Sequence, residues 1–247
     1  MMNPLGWLLD FRAAVSFLTI LPLGMVQGRK PAWSVGFFPL IGAGIGFGLA
    51  FLTTVTVFSQ DVMAFLALAF WVIVTGGLHL DGFADACDGL FATTTPARRL
   101  EIMKDPRAGS WAVIGIGLLL LGKFILLRNV PPPLLLLAPL FGRMAIVYAM
   151  AAHKPARPDG LGAWFRDGLG PPQVALAAAI TVAITLLVLN YLPVNPLAFV
   201  AIVAVVPVTA WWASRRLGGG LTGDIYGFVC ELTELVALLA LAWAYRA

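Results

Sequence analysis

Val62-Met63-Ala64-Phe65-Leu66-Ala67-Leu68-Ala69-Phe70-Trp71-Val72-Ile73-Val74-Thr75-Gly76-Gly77-Leu78-His79-Leu80-Asp81-Gly82-Phe83-Ala84-Asp85-Ala86-Cys87-Asp88-Gly89-Leu90 joins a long apolar run to a stripe of carboxylates. The first part reads as a membrane-spanning helix, which needs about 20 mostly apolar residues. The second part sets Asp81, Asp85 and Asp88 at i, i+4 and i+7. At 3.6 residues per turn these lie within an arc of roughly 60°. Three carboxylates on so narrow a stripe repel one another unless something cationic sits among them, most simply a divalent metal with hard oxygen ligands. The whole chain has only 12 Asp and Glu among 247 residues, so this clustering is meaningful. Gly82 and Ala84 do not stop a helix outright, so the span is expected to continue through the stripe.

The same pattern extends outward. The chain is 60% hydrophobic and 11% charged, with a mean hydropathy of +0.93. That composition excludes a soluble domain and predicts an all-α, polytopic transmembrane helix bundle, with residues 1–247 forming a single integral-membrane domain. Spans are expected near 34–58, 62–80, 109–128, 133–152, 173–191, 196–213 and 226–245. Residues 5–22 carry Asp10 and Arg12 within apolar sequence, which favours an N-terminal amphipathic or re-entrant helix over an eighth span. No secretory signal pattern is evident. Cys87 and Cys230 give no disulfide framework. The Pro131-Pro132-Pro133 run reads as a tight turn.

On this layout Arg12, Arg29, Lys30, Arg98, Arg99, Lys104, Arg107, Lys154, Arg157, Arg166, Arg215 and Arg216 fall on one side. The opposite connections, at Ser59-Gln60-Asp61 and from Asn190 to Asn195, carry no Lys or Arg. Arg128 and Arg246 are the opposing minority. The positive-inside rule places the richer side in the cytoplasm. The Asp stripe, the 93–108 and 153–171 loops and the Gly218-Gly219-Gly220 loop then share that face.

Chemistry is expected in four places. Gly82, Ala86 and Gly89 form a small-residue stripe one position on from the carboxylates, allowing close approach of a neighbouring helix. The segment Arg98-Arg99-Leu100-Glu101-Ile102-Met103-Lys104-Asp105-Pro106-Arg107 places cations and one more acid beside the stripe. That mixture suits a phosphate-rich substrate, although basic residues also serve simply to hold orientation. Gly219-Gly220-Leu221-Thr222-Gly223-Asp224 opens the last helix, where free backbone N–H groups can hold an anion; Thr222 or Asp224 can instead be the helix cap. Glu231 and Glu234 are intramembrane acids, with Arg143 the natural partner. His79 is a candidate base or substrate contact, and Lys123 a buried or snorkelling charge.

These strings, with Phe37-Phe38-Pro39-Leu40-Ile41-Gly42, Gly142-Arg143-Met144 and Glu231-Leu232-Thr233-Glu234, resemble the cobalamin synthase family, adenosylcobinamide-GDP ribazoletransferase. The resemblance covers most of the chain. It implies a multi-pass enzyme of the cell inner membrane with its active site facing the cytoplasm. Such an enzyme uses Mg²⁺ to join adenosylcobinamide-GDP to α-ribazole or its 5′-phosphate, with release of GMP. Asp81, Asp85 and Asp88 would hold the metal. Arg98, Lys104, Arg107 and Arg143 would offset phosphoryl charge, and Gly219, Gly220, Thr222 and Asp224 would help bind substrate. Asp85, Asp105 and His79 are the candidate bases, since a hydroxyl nucleophile needs a nearby proton acceptor. Membrane lipid is an expected partner and nucleic acid is not; a homo-oligomer stays open. Two alternatives are a CDP-alcohol phosphatidyltransferase-like lipid headgroup enzyme and an ion-coupled transporter built on Glu231, Glu234 and Arg143. The first is weakened because Asp81-Gly82-Phe83-Ala84-Asp85 departs from the Asp-Gly-x-x-Ala-Arg core of that group.

Overall fold

The computed structural model describes residues 4–24, 31–157 and 160–246; Arg29 and Lys30, two of the charges assigned to the basic face, lie outside them. In chain order the helices are α1 (Pro4–Leu18), α2 (Ala32–Val35), α3 (Phe38–Thr54), α4 (Gln60–Val74), α5 (Leu78–Phe91), α6 (Pro96–Ile102) and α7 (Ser110–Leu127). A 3-10 turn at Pro132–Leu136 follows, then α8 (Leu137–Ala152), α9 (Leu161–Arg166), α10 (Pro171–Tyr191), α11 (Leu197–Arg216) and α12 (Gly223–Arg246). The described residues contain no strand; Pro155 and Leu221 form an isolated bridge.

Each expected apolar segment is a helix. Five stretches are long and apolar enough to cross a membrane: Ser110–Leu127, Pro132–Ala152, Pro171–Tyr191, Leu197–Arg216 and Gly223–Tyr245. The α4–α5 pair makes a sixth if read as one broken span, and α3 is shorter at 17 residues. Leu118, Leu121, Leu186, Leu187, Val200 and Val203 are all more than half exposed. An apolar exterior of that extent fits a polytopic membrane bundle.

The expectation that the second span runs straight through the Asp stripe is corrected. The chain turns by 87° between α4 and α5. Gly76 and Gly77 take φ of +59° and +68°, a left-handed conformation that costs other residues about 1–2 kcal/mol each. Backbone groups freed by such a break in a membrane must find partners. Here the Ile20 N–H donates to the Val74 carbonyl at 2.9 Å, so the segment after α1 closes the end of α4.

α12 and α8 form the centre: 72% of the most apolar window of each is buried, against 17% for α10. α12 packs on α5, α7, α8 and α11. The Gly82 backbone lies against Asp224, where an added Cβ would come 3.0 Å from its Cα. The Gly227 backbone lies against His79, at 2.8 Å from its carbonyl oxygen by the same construction. Small residues at both positions let α5 and α12 cross almost backbone to backbone.

The buried ions sit at the heart of this packing. Lys123 of α7 contacts Glu231 of α12 at 2.5 Å and also pairs with Glu234. Glu234 is shared with Arg143 of α8, whose other nitrogen is 3.5 Å from His79 Nδ1. Lys123 also lies 4.0 Å over the Trp71 ring. Two cations and two carboxylates balance. The expected Arg143 pairing is present, and Lys123 is buried rather than snorkelling.

Candidate functional site

One end of the bundle gathers the polar connections. Arg157 donates to the Leu100 carbonyl at 2.6 Å and lies 3.5 Å from Asp224. The Leu221 N–H donates to the Lys154 carbonyl and the Ala156 N–H to that of Leu221, at 2.9 and 2.8 Å. Away from that end, Asp61 in the first turn of α4 pairs at 2.6 Å with Arg128 just past α7, and Gln60 donates to the Arg128 carbonyl.

The carboxylate helix is fixed at both ends. Its start is set by the Gly76-Gly77 turn. Its last carbonyls accept from two guanidinium groups: Arg99 donates to Gly89 and Leu90 at 2.8 and 2.6 Å, and Arg216 to Leu90 at 2.6 Å. Cations at a helix C-terminus complete its orphan carbonyls and its dipole. Arg99 is therefore a structural cap.

Along the stripe the acids part company. Asp81 is exposed and lines a cavity of about 320 Å³ that also reaches Asp224, Arg157, His79 and Tyr226. Asp85, half-buried one turn on, lies within the fields of Asp224, Asp81 and Asp88, opposed by Arg157. Asp88 is drawn away: its carboxylate accepts from the Gly109 and Ala112 N–H groups at 2.6 and 2.9 Å, capping α7. It borders a second, open hollow of about 310 Å³ lined by Arg98, Glu101, Asp105 and Arg107.

Among the described residues no group of three or more His, Cys, Asp or Glu side chains is gathered tightly enough to hold a metal ion. Within the Asp81, Asp85, Asp88 stripe, Asp88 is engaged with the first turn of α7. Asp85 lies in the fields of Asp81, Asp88 and Asp224, and Asp224 in that of Asp81, with Arg157 offsetting both. By donor chemistry these carboxylates fit a hard divalent cation.

The second hollow is pre-paired. Arg107 grips Asp105 with two side-chain bonds of 2.8 and 2.7 Å, and Arg98 pairs with Glu101 at 2.7 Å. The Arg107 bonds hold the Asp105 carboxyl well below the usual carboxylate range, which makes it a poor proton acceptor near neutral pH. Lys104 is exposed nearby.

The first amides of the glycine loop are already bonded. Gly218, Gly219 and Gly220 all have positive φ, yet the Gly219 and Gly220 N–H groups donate to the Ser214 carbonyl and hydroxyl, and that of Leu221 to Lys154. Thr222 is the cap, accepting from the Ile225 N–H at 3.4 Å and donating to Asp224 at 3.1 Å. The Gly219, Gly220 and Leu221 amides are thus taken up within the protein. Arg143 is likewise taken up by Glu234 and His79. Two residues with no advance signal lie at the cavity, Arg157 and Tyr226. Arg157 read only as a basic-face charge, and Tyr226 falls at the start of the last expected span.

No solved structure matches the chain. The adenosylcobinamide-GDP ribazoletransferase of Deinococcus radiodurans is 36% identical over 98% of this chain and 91% of its own length. The enzyme of that name from Geotalea daltonii is 39% identical, covering 92% of this chain and 94% of its own. That from Roseiflexus is 37% identical over 92% and 87%. The family profile described as cobalamin-5-phosphate synthase matches residues 10–242. With the profile spanning nearly the whole chain and its motifs forming the carboxylate end of the bundle, this protein belongs to the cobalamin-5-phosphate synthase (CobS) family.

Proposed function

We propose that this protein transfers the adenosylcobinamide-phosphate group from adenosylcobinamide-GDP to α-ribazole or its 5′-phosphate, releasing GMP, in a Mg²⁺-dependent reaction at the cytoplasmic face of the inner membrane. The observation that carries the reading is a family match over residues 10–242 whose acidic motifs bring Asp81 and Asp224 to one cavity with Arg157. Asp81, Asp85 and Asp224 would hold the metal, with Asp88 alongside as the cap of α7. When bound, the metal supplies charge neutralisation on phosphoryl oxygens.

The chain's own residues supply the rest. A ribazole hydroxyl forms a new bond to the phosphorus on the cobinamide side, the diphosphate P–O bond breaks, and GMP departs. Asp85 accepts the hydroxyl proton, being placed between the two hollows and better suited than Asp105. Arg98, Lys104 and Arg107 face the departing nucleotide phosphate, where positive charge stabilises the transition state. The basic connections meet at one end, in keeping with a cytoplasmic site.

The test is GMP release by the purified, lipid-supplied protein with both substrates and Mg²⁺, with and without EDTA. Release that needs both substrates and stops with chelator is expected. Release of CMP from CDP-alcohols, with none of GMP, would overturn the assignment in favour of a lipid headgroup enzyme.

A further inference from the structure

The lining of the cavity at Asp81 is of two kinds: Asp81, Asp224 and Arg157 are charged, and Phe17, Ile146 and Met150 are apolar. Tyr226 lines the same cavity, is only 3% exposed, and its hydroxyl has no hydrogen-bond partner; Arg157 Nε is buried and unpartnered as well. Buried polar atoms without partners are uncommon and call for an explanation. A ligand that brings its own hydrogen-bonding groups is a direct one. The volume of about 320 Å³ is at the lower end of small-molecule sites, about 300–1,000 Å³. A corrinoid macrocycle cannot enter, whereas a nucleoside with a bicyclic heteroaromatic base can.

Resting on the transferase reading, we propose that this cavity binds the acceptor nucleoside, its flat base against Phe17, Ile146 and Met150 and a hydrogen bond to the Tyr226 hydroxyl. The ribose then faces Asp81 and Asp224. The stripe runs from this cavity past Asp85 to Asp88 and the open basic hollow, so the two substrates approach from opposite ends of one helix, the bulky donor from the open side.

Steady-state kinetics on the full-length protein separate the substrates. Tyr226→Phe is expected to raise the KM for α-ribazole about tenfold, as loss of one buried hydrogen bond does, while the donor KM stays within about twofold. Ala163→Leu, on the short α9 bordering the cavity, narrows it without touching the core and is expected to raise the same KM. A rise confined to the donor KM, or no change in the acceptor KM in both variants, overturns the proposal. If the unsubstituted protein releases no GMP, it is the transferase reading that fails. Calorimetric titration with α-ribazole alone then decides the cavity: binding weakened by Ala163→Leu supports it, and absent or unaltered binding overturns it.

Discussion

Lys123→Met probes the buried ion cluster at the centre of the bundle. In the folded protein the Lys123 ammonium serves both Glu231 and Glu234, and no side chain of the Lys123, Arg143, Glu231, Glu234 group is more than 6% exposed. Removing the lysine leaves two carboxylates against one guanidinium, a net buried negative charge. Breaking a buried pair in this way costs about 3–5 kcal/mol. At about 2–4 °C per kcal/mol for a chain near this size, the apparent melting temperature in detergent should fall by about 6–20 °C, read from the fluorescence of the chain's eight tryptophans. Adding Glu231→Gln restores neutrality, and the double variant should recover more than half of the loss. The two carboxylates need not share one fate, since Glu234 keeps Arg143. A melting temperature for Lys123→Met equal to that of the unsubstituted protein would refute the reasoning, because one glutamate would then have to be neutral already.

Asp85 and Asp88 should respond differently. Asp85→Asn should lower Mg²⁺-dependent turnover by at least about 100-fold. Asp88→Asn should mainly weaken the cap of α7, costing about 1 kcal/mol, with a smaller loss of turnover; equal kinetic losses would return Asp88 to the metal set. Gly220→Ala should be damaging, since the added Cβ would come 2.7 Å from the Lys154 carbonyl oxygen and φ is +91°; thermal shift and acceptor KM should both worsen, and a neutral result would mean that the loop and the 153–157 segment can part. For Asp105 the sign follows from its depressed pKa. The carboxylate stays ionised as pH falls to its ordinary value and is lost only below it, so Arg107→Gln should not move any limb of the rate profile between about pH 5 and 8; a moved limb would make Asp105 the base.

Hydropathy made the bundle legible because each span writes its apolar length directly into the sequence. The carboxylate end was legible for a similar reason, since charges are rare enough here that their spacing stands out. The turn between α4 and α5 was not. Gly76-Gly77 is compatible with a continued helix, and the break is sustained by the Gly76 and Gly77 amides turning back to Ile73 and Val72 together with the contact from Ile20. The diversion of Asp88 was equally hidden, because its partners are amides 21 and 24 residues away and backbone groups leave no trace in a side-chain pattern. Asp224 read as cap or site with equal ease, and Thr222 takes the cap. Arg157 and Tyr226 reach the cavity through tertiary packing alone.

The crossing of α5 and α12 at Gly82 and Gly227 bears on how the protein moves. Two backbones in direct contact have no side-chain layer to slide on, so the pair behaves as a single strut. Asp81 and Asp224 stand on opposite members of that strut and keep their separation through a turnover cycle. Any opening that admits and releases substrate must then come from the periphery, from α9 and the 93–109 connection. Amide exchange should follow this division, slow through the crossing and faster in α9, and the turnover rate should track the mobility of the rim rather than that of the carboxylates.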